Sequence, residues 1–421
     1  MKNGLIKIQE QALRLVPFSS FSIIGDPGCD GLGAATMSIF ARALHARPVD
    51  FSIIVGDLVP LGSKPLYENV SEFIEMLAPN PVFAICGNHD TEYFDSYFGR
   101  RNYVLFNDDI LFIILDNSKR EFSFEALELC RHALATYPNE NVVILFHIPP
   151  PNSFTRNSLS REQWEPFREI YTPHRQRIRY LICGHVHSYF EDAIDDIPII
   201  VSGGGGARIE AVDKQVDEKK ARYHIVRFEF DHSKRLSHAT IGLEDQAYQT
   251  ELADATLAQY LQQAYQNEMA AHFKYRLFAE QAKDKGLAGL AKLFSALSES
   301  EFYHAKNHYY VLGQKGSVGS NLEDSLRNET YEVETLYPQT MQYAREKRHG
   351  LAKYAFLDAL EAEKVHKKLL EDARANYLQQ KDIPPAEYYT CSSCGYTIKA
   401  DQKPSYCPIC GAPQDKILLV K

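Results

Sequence analysis

The chain has 421 residues, of which 45% are hydrophobic and 24% charged, and it carries a formal net charge of −9 at pH 7. That length exceeds one ordinary domain, and the composition is that of a soluble globular protein. The acidic balance offers no basic footprint for nucleic acid, and no segment approaches the apolar length of a membrane span. Residues 1–20 mix Lys, Glu, Gln and Arg with apolar residues, so no secretory signal is expected. Of the cysteines, Cys29, Cys86, Cys130 and Cys183 are scattered while four cluster near the C-terminus. That usage suits a metal site in a reducing cytoplasm better than a disulfide framework.

Up to about residue 248 the pattern alternates short β-branched runs with helical stretches. Strands are expected at Phe21–Gly25, Phe51–Gly56, Val82–Gly87, Ile110–Leu115, Val142–His147, Tyr180–Gly184, Ile199–Ser202 and Tyr223–Phe230. Helices are expected near Ala34–Ala46, Leu66–Leu77, Phe124–Thr136 and Arg161–Tyr171. The later strands lack intervening helices, which predicts a layered α/β sandwich of mixed sheets. Its acids and imidazoles gather where strands end: Gly25-Asp26, Gly56-Asp57, Gly87-Asn88-His89-Asp90, Phe146-His147 and Gly184-His185-Val186-His187. Ligands collect at the carboxyl ends of strands in such sheets. Carboxylates, imidazoles and one amide oxygen suit a pair of divalent or mixed-valence ions. The Gly203–Gly206 run fits either a close backbone approach to that site or a plain turn.

From about residue 254 to 377 the pattern is helical, interrupted near Asp284–Gly286, at Gly313–Asn321 and near Arg348–Gly350. One phrase is written twice here. Glu268 lies in a first helix and Glu301-Phe-Tyr-His304 in a second; Glu329 opens a third, and Glu363-Lys-Val-His366 sits in a fourth. Residues three apart share a helix face, so each Glu-x-x-His aims a carboxylate and an imidazole at one point. Two such helices plus a Glu from each of two others make the dinuclear carboxylate site of ferritin-like bundles. The alternative, solvated acids on amphipathic helices, fits poorly with the small and aromatic residues around Glu268 and the apolar stretch before Glu363. Gln379–Glu387, with Pro384-Pro385, reads as a linker. Beyond it, Cys391-Ser-Ser-Cys394-Gly and Cys407-Pro-Ile-Cys410-Gly form two thiolate knuckles, which hold either zinc or a single iron.

The N-terminal set resembles the calcineurin-like metallophosphoesterases over roughly the first 240 residues. The resemblance implies that Asp57 bridges two cations (Mn, Fe or Zn), that Asn88, His147 and His185 complete one site, and that Asp26 and His187 belong to the other. His89 would contact the phosphate or protonate the leaving oxygen. Two departures stand out: Gly28 occupies the place of the family's usual histidine, and Pro60 the place where purple acid phosphatases supply a tyrosine. One ligand is then missing unless Cys29, Asp30 or water provides it.

Residues 250–421 resemble rubrerythrin, with Glu332 one turn after Glu329 as the specific mark. The resemblance implies two irons bridged by Glu301 and Glu363, with Glu268 and His304 on one and Glu329 and His366 on the other. His304 and Glu332 would be alternates on oxidation, and Tyr275 and Tyr337 would lie near the pair. The tail would be a rubredoxin-like Fe(Cys)4 carrier. Reduction of hydrogen peroxide, an NAD(P)H-linked rubredoxin reductase as donor, and a homodimer in which one subunit's tail serves the other's diiron site are all implied. The reading is a multidomain fusion: phosphoesterase (1–248), ferritin-like bundle (249–380) and rubredoxin-like domain (386–421). Two other readings remain open at this level: a phosphoesterase gated by a redox-sensing bundle, and an iron-binding or electron-transfer protein without turnover.

Overall fold

The computed structural model describes residues 4–28, 31, 33–137, 141–210, 212, 222–243, 255–314 and 316–420. The chain divides into two compact units, Met1–Gly313 and Gln314–Lys421.

The first unit opens with thirteen strands: β1 (Gly4–Leu5), β2 (Ala12–Arg14), β3 (Ser20–Ile24), β4 (Phe51–Ile54), β5 (Pro81–Ala84), β6 (Tyr103–Phe106), β7 (Leu111–Ile114), β8 (Val142–Leu145), β9 (Ile178–Cys183), β10 (Tyr189–Ile194), β11 (Ile197–Ser202), β12 (His224–Phe230) and β13 (Leu236–Gly242). Helices α1 (Ala34–His45), α2 (Lys64–Leu77), α3 (Phe94–Tyr97), α4 (Phe124–Thr136) and α5 (Arg161–Tyr171) are interspersed. The strands make two sheets, ordered β1-β5-β4-β3-β12-β13 and β10-β11-β9-β8-β7-β6-β2. Strands β3, β4 and β5 run parallel, as do β7, β8 and β9, so their carboxyl ends share an edge within each sheet.

Alternation along β3 and β4 decides the layering. Phe21, Ile23, Phe51 and Ile53 enter the core between the sheets, while Ile24 and Ile54 face α1 and α2. Phe21 stacks on Phe51 and Phe228 with ring centres 5.5 and 4.8 Å apart. A third core, with Trp164 and Phe167 of α5 and Ala126 and Leu129 of α4, covers the outer face of the second sheet. Both faces are thus apolar, as strands buried on two sides require. At α5 the Ser160 hydroxyl accepts from the Gln163 N–H while the Gln163 side chain returns to the Ser160 N–H, a reciprocal cap that fixes the helix start.

The first unit ends in a hairpin of α6 (Ala255–Asp284) and α7 (Ala288–Val311). The second unit holds α8 (Val318–Tyr331), a π-helical turn (Glu332–Leu336), α9 (Tyr337–Glu346) and α10 (Gly350–Leu378). Glu329 therefore does not open its helix; it lies in the last turn of α8, which starts at Val318. The helix starts there because the Ser317 hydroxyl accepts the Ser320 N–H, which turns a Gly/Ser-rich stretch into a cap. A three-stranded sheet, β14 (Tyr388–Cys391), β15 (Thr397–Lys399) and β16 (Ile417–Leu419), closes the chain in the order β15-β14-β16.

Candidate metal centres

The loops leaving β3, β4, β8 and β9 bring the N-terminal ligands together. Asp57, His147 and His185 offer atoms within 4.8 Å of one another, and so do Asp26, Asp57 and His187. Asp57 belongs to both groups, as a bridging carboxylate must. The Asn88 Oδ1 lies 3.1 Å from His147 Nε2, which puts the amide oxygen in the first group. His147 donates from Nδ1 to the Val55 carbonyl at 2.8 Å, which leaves Nε2 turned toward Asp57 at 3.3 Å. His185 turns Nδ1 toward His147 Nε2 at 3.3 Å and donates from Nε2 to Asn157 Oδ1 at 2.9 Å. Arg120 donates to the same Asn157 oxygen at 2.8 Å. Ring nitrogens that serve a cation are held this way by the bond the other nitrogen makes. His89 stands at the rim, with Nδ1 donating to the Pro60 carbonyl at 2.8 Å and Nε2 4.0 Å from Asp57.

The backbone is strained where the ligands are. Asp26, Asp57 and His185 have φ of 50°, 52° and 71°, a region that costs a side-chain-bearing residue roughly 1–2 kcal/mol. Such strain concentrates at functional sites. Glycines clear the space around them: a Cβ on Gly87 would lie 2.2 Å from Asp57 Oδ1, and one on Gly184 2.5 Å from Asp26 Oδ2. The Gly203–Gly206 run is a close approach and not a plain turn, since Cβ atoms on Gly205 and Gly206 would meet the Gly25 and Pro27 carbonyls at 2.5 and 2.3 Å. Gly28 has the same explanation. A Cβ there would sit 2.1 Å from the Leu58 carbonyl oxygen, so no histidine fits at that place. Cys29 and Asp30 lie outside the described residues, and Pro60 contributes its carbonyl to His89 instead of a ligand side chain.

Three carboxylates, Asp26, Asp57 and Asp90, are buried together. Burial, with Asp57 nearby, pushes Asp26 well above the usual carboxylate range and Asp90 up to about 7. Burial also disfavours a charged His147, but Asp57 beside it outweighs that and raises the imidazole to about 10. Burial holds His185 down to about 3. Acids this crowded are stable when cations neutralise them, so the donor set fits two divalent ions.

In α6 and α7, Glu268, Glu301 and His304 converge. The His304 Nδ1 lies 2.9 Å from Glu301 and 3.8 Å from Glu268. A shared hydrogen bond with Glu301 raises the Glu268 pKa. In the second unit Glu329, Glu363 and His366 converge in the same way, with His366 Nδ1 2.6 Å from Glu363. Burial, and the hydrogen bond to Glu363, push Glu329 up to about 8. The Glu329 Oε2 is buried without a hydrogen-bond partner. An orphaned carboxylate oxygen facing a carboxylate and an imidazole fits an iron ligand. Glu332 opens the π-helical turn, a feature common at functional sites, and is raised by burial and by Glu363. Tyr337 feels Glu332, Glu363 and Glu329, whereas Tyr275 stacks on Phe294 with ring centres 6.1 Å apart.

Cys391, Cys394, Cys407 and Cys410 gather in the C-terminal module of this unit, with Sγ–Sγ distances of 3.7 Å (Cys391–Cys410) and 3.6 Å (Cys394–Cys407). Four sulfurs at about 2.3 Å from a central ion would stand roughly 3.8 Å apart in a tetrahedron. Gly395 and Gly411 follow the knuckles with φ of 77° and 70°, where a side chain would be strained. Burial works against a charged Cys391, but the N–H groups of Ser393 and Cys394 bring its thiol down to about 7. The Thr397 hydroxyl of this module lies 2.8 Å from His366 Nε2, within hydrogen-bond reach. The link from the cysteine module to a ligand of the carboxylate centre was absent from the motif pattern, as were Asn157 and Arg120.

Residues 20–189 match the calcineurin-like phosphoesterase family, 259–374 rubrerythrin, and 389–417 the rubredoxin-like domain of rubrerythrin. Rubrerythrin-2 of Clostridium acetobutylicum is 36% identical over 177 residues, covering 39% of this chain and 96% of that protein. Nigerythrin of Nitratidesulfovibrio vulgaris is 30% identical over 169 residues, covering 37% and 82%. A purple acid phosphatase from yellow lupin (Lupinus luteus) superposes with a TM-score of 0.45 at 14% identity, covering 55% of this chain and 52% of that one. The chain belongs to the rubrerythrin family, carrying the ferritin-like and rubredoxin-like parts behind a calcineurin-like phosphoesterase domain.

Proposed function

We propose that the chain reduces hydrogen peroxide at a diiron centre fed by its own Fe(Cys)4 site, and that its N-terminal domain hydrolyses phosphoesters. The observation that carries the first half is the duplicated Glu/Glu/His triad with a buried, unpartnered Glu329 oxygen, joined through His366 and Thr397 to the four-cysteine module.

Glu268, Glu301, His304, Glu329, Glu363 and His366 would hold two irons, which would supply the two electrons that, with two protons, convert peroxide to two waters. Glu301 and Glu363 each bring a carboxylate oxygen to 2.9 and 2.6 Å from Nδ1 of the histidine three residues on, so that carboxylate and imidazole would meet on one ion. The Thr397 hydroxyl fixes the His366 ring and brings the cysteine module within one hydrogen bond of the centre. An iron held by Cys391, Cys394, Cys407 and Cys410 would pass one electron at a time, so two transfers would restore each turnover. An external rubredoxin reductase of the NAD(P)H-linked type, in a reducing cytoplasm, would refill it.

In the N-terminal domain two divalent cations, when bound, would supply charge neutralisation and water activation. Asp57, Asn88, His147 and His185 would hold one, and Asp26, Asp57 and His187 the other. His89, half-buried at the rim with Nδ1 on the Pro60 carbonyl, would touch a phosphoryl oxygen or protonate the leaving group.

Glu301→Ala separates the two activities. Peroxide turnover with reduced rubredoxin should vanish while hydrolysis of a generic aryl phosphate stays unchanged. Peroxide turnover that survives Glu301→Ala would sink the peroxidase reading. A hydrolytic rate that instead follows the oxidation state of the bundle would favour a redox-gated phosphoesterase.

A further inference from the structure

We propose that Arg120 anchors a second anionic group of the substrate, so that the N-terminal domain acts on phosphoesters carrying a further phosphate or carboxylate. The proposal rests on the phosphoesterase reading above and names what the rest of the substrate carries.

Arg120 is built in from two sides. Its N–H closes a turn on the Asn117 carbonyl at 2.9 Å. The fully buried Asn117 side chain accepts the His147 and Ile148 N–H groups at 3.0 and 2.9 Å and donates to the Ile148 carbonyl at 2.8 Å. The turn is thereby fixed to the strand end that carries the ligand His147. From the other side, the guanidinium donates to Asn157 Oδ1 at 2.8 Å and to the Ser158 carbonyl at 3.4 Å. The same Asn157 oxygen lies 2.9 Å from His185 Nε2, while His185 turns Nδ1 toward His147 at 3.3 Å. Arg120 therefore stands beyond the His185 ring, on the side away from the cation group. With that imidazole and Asn157 in between, it reaches a part of the substrate other than the phosphoryl being cleaved.

Three features exceed what a clamp between two loops requires. Arg120 has a φ of 63°, an outlying conformation for a bulky residue and one that gathers at functional sites. A neutral amide could donate to the same two oxygens. Arginine instead sets a positive charge beside a site made to collect cations, which works against them until an anion arrives. That charge is felt at the site: burial, His147 and Arg120 all act to keep His185 unprotonated. The charge also has no counter-ion. Arg101 sits on Asp95 at 2.9 Å and Arg168 on Asp195 at 2.8 Å, but both partners of the exposed Arg120 are neutral oxygens, and no carboxylate pairs with it among the described residues. A guanidinium held in one orientation recognises a carboxylate or phosphate by paired N–H groups.

Phosphonates test this without turnover, because their C–P bond is not hydrolysed with the phosphoester. Manganese-loaded full-length protein is titrated calorimetrically with alkylphosphonates, ω-carboxyalkylphosphonates and alkane-α,ω-diphosphonates of graded length. At the best length a second anionic group should tighten binding about tenfold, and the two series show whether carboxylate or phosphate is preferred. Arg120→Gln should remove that margin, and Arg120→Lys, which keeps the charge, should retain part of it. No margin at any length in the wild type would overturn the proposal, and so would a margin that survives Arg120→Gln. A variant that weakens every phosphonate by one common factor shows a mere clamp, which also overturns it. Aryl phosphate hydrolysis by the wild type is followed in parallel. Protein that shows the Arg120-dependent margin but hydrolyses no phosphoester keeps the anchor and loses the phosphoesterase reading. Protein that hydrolyses the aryl phosphate without that margin keeps the reading and loses the anchor.

Discussion

Thr397 shows how much a single hydroxyl can matter here. Its Oγ1 lies 2.8 Å from His366 Nε2, and bonds of this kind around metal-bound histidines are commonly worth 10–100-fold in affinity. Thr397→Val should therefore weaken iron at the Glu329/Glu363/His366 side by about that factor, while Fe(Cys)4 absorption stays intact; equal retention of both irons in a chelator titration would count against it. Gly28 makes the opposite point, through a side chain that cannot exist. With Leu58 O where a Cβ would go, the Asp26/Asp57/His187 group lacks the ligand that the Asp57/Asn88/His147/His185 group has. Metal titration of the phosphoesterase domain should show one tight and one weaker cation, and His187→Ala should remove only the weaker. Two equal affinities would contradict this. The ligands themselves were legible in the sequence because the chemistry demands Asp, Asn, His, Glu and Cys at strand ends and at three-residue spacings. Asn157, Arg120 and Thr397 were not, since each is a common residue brought in from a distant segment.

At the level of elements, the buried strands and the long helices were readable and the edges were not. Runs such as Phe51–Ile54 and Val142–Leu145 are buried on both faces and read as strands at once. The edge strands β10 and β13 carry exposed Glu191, Asp192, Ser237 and Ala239 in weakly apolar runs, so hydrophobicity alone did not mark them. The π-helical turn at Glu332 has no sequence signature apart from the extra glutamate. The loop of Gly203–Gly206 rests on a buried histidine at the start of β12. His224 donates from Nδ1 to the Arg222 carbonyl at 2.7 Å, and its Nε2 faces Ser202 Oγ at 2.9 Å. Burial holds its pKa down to about 4. An unfolded histidine titrates near 6.5, so between these values the unfolded chain binds the extra proton. The contribution is fully present above pH ~6.5 and is lost as pH falls toward ~4, by an order of 3 kcal/mol. The stability advantage of the wild type over His224→Gln, read from urea unfolding of the full chain, should shrink across that window. A pH-independent difference would show that His224 is not held neutral.

For the whole molecule, the fusion was legible because each part carries its own motif set. On the function proposed above, electrons would pass from the four cysteines through the region of His366 to the iron-binding carboxylates. Peroxide should therefore oxidise the Fe(Cys)4 iron only by way of the iron pair held there. The direct test is stopped-flow mixing of anaerobically reduced full-length protein with hydrogen peroxide, following the iron pair and the Fe(Cys)4 absorption together. The account predicts that the pair oxidises first, that the Fe(Cys)4 band follows, and that two electrons leave per peroxide. In Glu301→Ala the Fe(Cys)4 oxidation should slow to that of an isolated rubredoxin-like site. Oxidation of the Fe(Cys)4 iron at the wild-type rate in Glu301→Ala, or no oxidation of the pair by peroxide, would contradict it.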